Sequence, residues 1–229
     1  MILLALLLIT LGAADLVRPQ DRAPTRAQLA RAVVTGTVVL SLGVWGCGIS
    51  AWWVPLGAGL LSAWVASTPR DRTHPWPIVT LGVAVLAILA ASAQSPVADG
   101  WLTSWYDSLL IASLEGVSFE RFALATACVV FLVESANIIV RMVLAGTDAG
   151  VMASEQTLKG GRVLGPIERI LIFSMALSGA YVVLTAVIAA KGILRFPEIS
   201  RDVAGRKAEY VLVGSFVSWS IALVLVPLI

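Results

Sequence analysis

The chain has 229 residues, 59% of them hydrophobic and 13% charged, with a mean hydropathy of +0.92. A soluble domain is about 45–50% apolar and about 25% charged, so this composition excludes an ordinary soluble enzyme or binding module. The formal net charge of +2, spread over loops with no basic stripe or aromatic-interleaved patch, leaves no footprint for nucleic acid.

Taken in chain order, the apolar segments predict an all-α, polytopic transmembrane helix bundle. A crossing needs about 20 apolar residues, or about 17–25 with tilt. Met1–Val17 is a short first span (2–17). Its first basic residue, Arg18, follows the apolar run, which predicts a retained span with its N-terminus outside, although Gly12-Ala13-Ala14 imitates a cleavage site. Arg18, Arg22, Arg26 and Arg31 then mark a solvated loop near anionic headgroups. Within it, Thr25 is placed to N-cap the next helix.

Val33–Ala66 carries no charge. One straight helix over it would be about 51 Å long against a hydrocarbon core of about 30 Å, so it must break. Gly46-Cys47-Gly48 and Trp52-Trp53-Val54-Pro55 are the break points, giving spans 32–50 and 53–67, or a re-entrant hairpin whose turn neighbouring protein must shield. A turn at 67–77 with His74 leads to a span at 77–94. Residues 94–107, with Asp99, Asp107, Trp101, Trp105 and Tyr106, suit an outer interface and an interfacial helix within 102–115. One long helix is expected over 117–145, a span at 166–190 whose Pro166 opens the helix, a polar basic loop at 191–207 and a last span at 208–228. The whole is one domain of about seven spans, or six if 33–66 crosses once. Either count places ten of the sixteen Lys and Arg residues on the inner side, so the positive-inside rule ties. The length of 33–66 favours seven.

Cys47 and Cys128 sit in apolar runs and read as small buried hydrophobes rather than a disulfide. No His/Cys/Asp cluster has metal-ligand spacing, so no metal or cofactor is expected.

The candidate site is a set of charged and polar residues in or beside apolar segments, where an ionisable group costs at least roughly 2.5–3.5 kcal/mol. Glu134, Asn137 and Arg141 fall within an arc of about 60° on a continuous helix. They form either an interhelical clamp or a site for an anion or polar headgroup. Glu168 and Arg169 follow a Gly-rich turn, Gly160-Gly161-Arg162-Val163-Leu164-Gly165. Either Glu168 caps the helix dipole and pairs with a neighbouring Arg, or the free N–H groups at the helix start cradle a phosphate with Arg162 and Arg169. Lys191 and Arg195 share a helix face, and Glu209 is placed to pair with Arg206 or Lys191. A straight 166–190 helix would hold Glu168-Arg169 and Lys191 about 33 Å apart, on opposite sides of a membrane, with Ser178-Gly179-Ala180 as a place for close packing or a kink.

The chain reads Ala136-Asn137-Ile138-Ile139-Val140-Arg141, Gly165-Pro166-Ile167-Glu168-Arg169, Lys191-Gly192-Ile193-Leu194-Arg195-Phe196 and Ala208-Glu209-Tyr210-Val211-Leu212-Val213-Gly214. These segments resemble the N-x-x-V-R, G-x-[IL]-E-R, K-x-[IL]-x-R-F and A-E-Y-x-x-x-G motifs of a family of bacterial integral membrane proteins that carry a domain of unknown function. The resemblance spans the C-terminal part of the chain and implies a multi-pass protein of the bacterial cytoplasmic membrane, with these charged residues as its functional ones. Asp15 stands where the family carries a His and an acid. The His is absent here, so no chemistry that needs it carries over.

Three functions stay open. The first is a small transporter or lipid-handling protein with a charged intramembrane site. The second is a non-catalytic accessory or scaffold subunit of a membrane complex. The third is a membrane-embedded enzyme acting on a lipid phosphate, with Glu134 or Glu168 as base or metal ligand and Arg141 and Arg169 holding phosphate. The expected partners are membrane lipids, an anionic headgroup or ion, and a protein partner or second copy.

Overall fold

In the computed structural model, residues 1–19, 24–68, 76–91, 96–145, 161–200 and 206–229 are described, without the side chains of 161–163, 195, 197–200 and 206–208. The loop with His74, the glycine Gly160 and the side chains of Arg162, Arg195 and Arg206 therefore lie outside the described residues. Every regular element among the described residues is helical: α1 (Ile2–Leu16), α2 (Arg26–Gly46), α3 (Trp53–Ser67), α4 (Trp76–Ala90), α5 (Trp101–Asp107), α6 (Phe119–Val133), α7 (Ser135–Leu144), α8 (Gly161–Leu177), α9 (Tyr181–Ser200) and α10 (Arg206–Val224), with short 3-10 turns at Ala112–Leu114 and Val226–Leu228. Where one domain is expected, the chain divides into two compact units, 1–135 (with residue 229) and 136–228.

In the first unit α1 is the axis. It is apolar on all sides and buried from Ile2 to Leu8 and again at Thr10, Leu11, Gly12, Ala14 and Asp15, as a helix without a polar face must be. It packs against α2, α3, α4 and α6. At Gly12 an added Cβ would stand 2.8 Å from Val130 Cγ1 and 2.9 Å from the Val130 carbonyl carbon, so α1 and α6 meet at the close distance that a small residue permits. The surrounding helices point large apolar side chains outward: Val34, Val38, Leu42 and Trp45 on α2, Leu56 and Leu60 on α3, Val79, Val83 and Leu86 on α4.

The charge-free run 33–66 breaks as its length demands. Thr25 caps α2 in a reciprocal box with Gln28. The helix ends at Gly48 (φ +68), with Gly48 N bonded to Trp45 O and Ile49 N to Val44 O, the paired bonds of a Schellman cap. Asp99 N donates to Cys47 O at 3.0 Å. A Cβ at Gly100 would lie 2.1 Å from Gly46 O, so only glycine lets residues 96–100 cover this turn. The interfacial segment expected at 102–115 is α5 plus a single 3-10 turn rather than one helix.

Two expected continuous helices are each broken. The 117–145 helix stops at Val133 and restarts at Ser135, with Glu134 at φ −124 and ψ −42. The 166–190 helix is two: α8 ends in a second Schellman cap at Gly179 (φ +72), with Gly179 N on Ala176 O and Ala180 N on Met175 O, and α9 begins at Tyr181. Pro166 lies inside α8 instead of opening it, which removes one backbone bond. Residues 191–200, expected as loop, continue α9. In the second unit α8 packs on α9 and α10.

By length and composition α2 and the helical stretch Glu209–Leu228 are long and apolar enough to cross a membrane, and α6 with α7 makes a third if a bent pair counts as one. Helices α1, α3, α4 and the Tyr181–Leu194 part of α9 are apolar but shorter.

Candidate functional site

The break at Gly179 brings Glu168 and Lys191 together. Lys191 Nζ donates to Glu168 Oε2 in an ion pair about one-fifth exposed on both sides, 20% and 22%. This corrects the expectation that these charges lie far apart along one helix. The Lys191 ammonium also stands 5.2 Å from the ring centroid of Trp219 on α10, within cation–π range. Lys191 is thus held by Glu168 and does not need Glu209, which is exposed in the first turn of α10.

Arg169, the next residue of α8, is only 2% exposed. Its Nη1 donates to Ser218 Oγ at 3.3 Å, and its Nη2 donates to Asn137 Oδ1. Residues from α7, α8 and α10 therefore fix the plane of one guanidinium. A Cβ added at Gly165, one turn earlier, would stand 3.8 Å from Arg169 Nη1 and from Asn137 Oδ1, in ordinary van der Waals contact. These groups border a cleft of about 190 Å³, walled by Asn137, Glu168, Arg169, Lys191, Tyr210, Ser215 and Ser218 among apolar neighbours.

Not every sequence-derived residue is among those that line this cleft. Asn137, Glu168, Arg169 and Lys191 meet at this cleft. Arg141 is half-buried in the last turn of α7. Glu134 is buried at the α6–α7 break, where the helix expected to be continuous is interrupted. Arg195 lies on α9, one turn beyond Lys191, with its side chain outside the described residues. Among the described residues no group of three or more His, Cys, Asp and Glu side chains is placed to hold a metal ion. Cys47 and Cys128 are buried free thiols.

A second polar cluster, in the first unit, was not singled out by sequence. Asp15, fully buried in α1, accepts from Arg18 Nη1 at 2.9 Å, Trp64 Nε1 at 3.0 Å and Ser135 Oγ at 2.6 Å. Arg18 in turn donates to Thr68 Oγ1 at 2.9 Å and Thr68 O at 2.6 Å, at the C-terminal cap of α3, where the helix dipole favours a cation. The Asp15/Arg18 spacing at the end of an apolar run is a legible signal. Nothing local marks Trp64, Thr68 or Ser135 as its partners.

Compared with protein-family models, with curated proteins and with solved structures, the chain matches none.

Proposed function

We propose that this chain is a multi-pass protein of the bacterial cytoplasmic membrane, akin to the family its C-terminal motifs resemble, whose second unit binds an anionic headgroup or small anion in lipid handling or transport. The observation that carries the reading is Arg169, buried and oriented by Asn137 and Ser218 beside a polar cleft. A guanidinium held in plane is a pre-organised fork for phosphate or carboxylate.

The membrane part of the reading draws on the outward apolar faces of α2, α3 and α4 around an apolar α1, which suit lipid as the surrounding solvent. It also draws on the helices long enough to cross. Counting 166–190 as one pass keeps seven crossings. A hairpin of α8 and α9 that enters and leaves on one side gives six. The Glu168–Lys191 pair favours the hairpin and a site on one face, and hence lipid binding over passage along a single helix. The accessory-subunit reading draws on the Asp15 cluster, whose bonds all serve packing.

The test is titration of the purified protein in detergent with a short-chain phosphatidylglycerol. Wild type binds and Arg169→Gln binds about tenfold or more weakly; equal binding by both removes the site. Single cysteines at positions 154 and 200, in a chain without Cys47 and Cys128, should label with an impermeant thiol reagent from the same side. Labelling from opposite sides removes the one-faced site.

A further inference from the structure

Resting on that reading of the cleft, we infer that the Glu168–Lys191–Trp219 cluster selects a zwitterionic phosphoethanolamine headgroup, its phosphate taken by Lys191 and its ammonium by Glu168 and the Trp219 ring.

Two groups hold Lys191. Its ammonium lies between the Glu168 carboxylate and the face of Trp219, so the chain's own lysine fills a receptor for a primary ammonium: one acceptor anion and one aromatic face. Glu168 and Lys191 are each about one-fifth exposed, and both line the same cleft. An ion pair that is partly open to a cleft exchanges partners more readily than one sealed in the core, where losing a partner strands a buried charge. Its two charges cancel. A dianionic phosphomonoester would bring uncompensated charge beside Glu168, and a ligand that is only an anion would leave Glu168 without its cation. A ligand carrying one phosphate charge and one ammonium replaces the internal pair without changing the charge of the cluster, since Lys191 turns to the phosphate and the ligand ammonium enters the place Lys191 vacates. Arg169, fixed at the same cleft by Asn137 and Ser218, offers a second cation for the phosphate. The carboxylate of Glu168 accepts hydrogen bonds, which an ethanolamine ammonium donates and a quaternary choline does not. The cleft of about 190 Å³ is taken to receive the headgroup, with the acyl chains outside it. A phosphatidylethanolamine headgroup and free glycerophosphoethanolamine, both phosphodiesters with one negative charge and one ammonium, present the same chemistry.

The experiment uses the full chain in detergent, with short-chain phosphatidylethanolamine, phosphatidylcholine and phosphatidylglycerol of matched acyl length as probes, read by native mass spectrometry and thermal shift. Loss of one charge-assisted bond corresponds to about tenfold or more in affinity, so the ethanolamine lipid should bind about tenfold tighter than the other two. Glu168→Gln should erase that preference while keeping phosphatidylglycerol binding. The exchange Glu168→Lys with Lys191→Glu restores an ion pair between α8 and α9 but puts a carboxylate against Trp219; it should fold and still lack the preference. Competition by free glycerophosphoethanolamine but not by inorganic phosphate supports the inference. A lipid that outcompetes the free headgroup identifies the membrane as the source, and equal competition identifies a soluble ligand. If all three lipids bind alike, if Glu168→Gln keeps the preference, or if inorganic phosphate competes equally, the zwitterion inference is overturned while the anion site stands. If no lipid binds wild type, the proposed function itself fails.

Discussion

Two ion pairs on apolar helices, Asp15–Arg18 and Glu168–Lys191, show how differently the same chemistry is used in the two units. The first pair is sealed, with side chains 0% and 7% exposed. Trp64, Ser135 and Thr68 supply partners to both its ends, and it ties the end of α1 to the end of α3 and the start of α7. The second pair is partly open, borders a cleft and shares its cation with an aromatic ring. A buried charge whose bonds are all internal acts as a structural tie. A charge that keeps some solvent contact beside a cavity retains the ability to change partners. Apolar surroundings alone therefore do not mark a functional charge.

The contrast is open to direct attack. The largest effect should come from Asp15→Ala. Removing one partner of a buried pair costs about 3–5 kcal/mol, read as a fall in thermal midpoint or denaturant resistance in micelles, and headgroup binding by the molecules still folded should be unchanged. A loss below about 1 kcal/mol, the level of a surface pair, would erase the distinction. Next comes Arg169→Gln. Its expected loss of about 1.5–3 kcal/mol in headgroup binding, the range for hydrogen bonds to a charged group, is measured by titration with phosphatidylglycerol. Gly179→Ala comes third, at about 1–2 kcal/mol of stability, because an L residue is strained at φ +72. Ser178→Ala next to it should stay within about 0.5 kcal/mol. That pair tests whether the α8–α9 turn, which brings Glu168 to Lys191, is set by the cap. The smallest effect on stability belongs to Glu168→Gln, about 0–1 kcal/mol as for partly exposed pairs. Its consequence should appear in lipid selectivity instead.

Much of the local structure was legible. The run 33–66 had to break because no single helix of its length fits, and it breaks at Gly48, where the sequence has its Gly-Cys-Gly. Thr25 caps α2 because a hydroxyl three residues before Gln28 can accept the helix's first donors. The break at Gly179 was half-legible: Ser178-Gly179-Ala180 was marked as a place for a kink, but an apolar run with one glycine reads equally well as a straight helix. The break at Glu134 had no glycine or proline to announce it. For the cleft, Asn137, Glu168, Arg169 and Lys191 stood out as polar groups in apolar context, whereas Trp219, Ser215 and Ser218 look like ordinary members of the last helix.

The sequence by itself determined that the chain is helical, strongly apolar and sparing with charge, because composition and the spacing of apolar runs act locally and need no partner to be read. It also determined which charges are costly. Which of those charges meet was decided only in the tertiary structure. Glu168 and Lys191 lie 23 residues apart in sequence, and a single residue at positive φ sets whether that distance is spanned or folded back. Asp15 finds Trp64 and Ser135 across 49 and 120 residues. Such pairings depend on helix packing, where small residues such as Gly12 and Gly100 admit close approach, and no local pattern encodes which helix comes to fill the space.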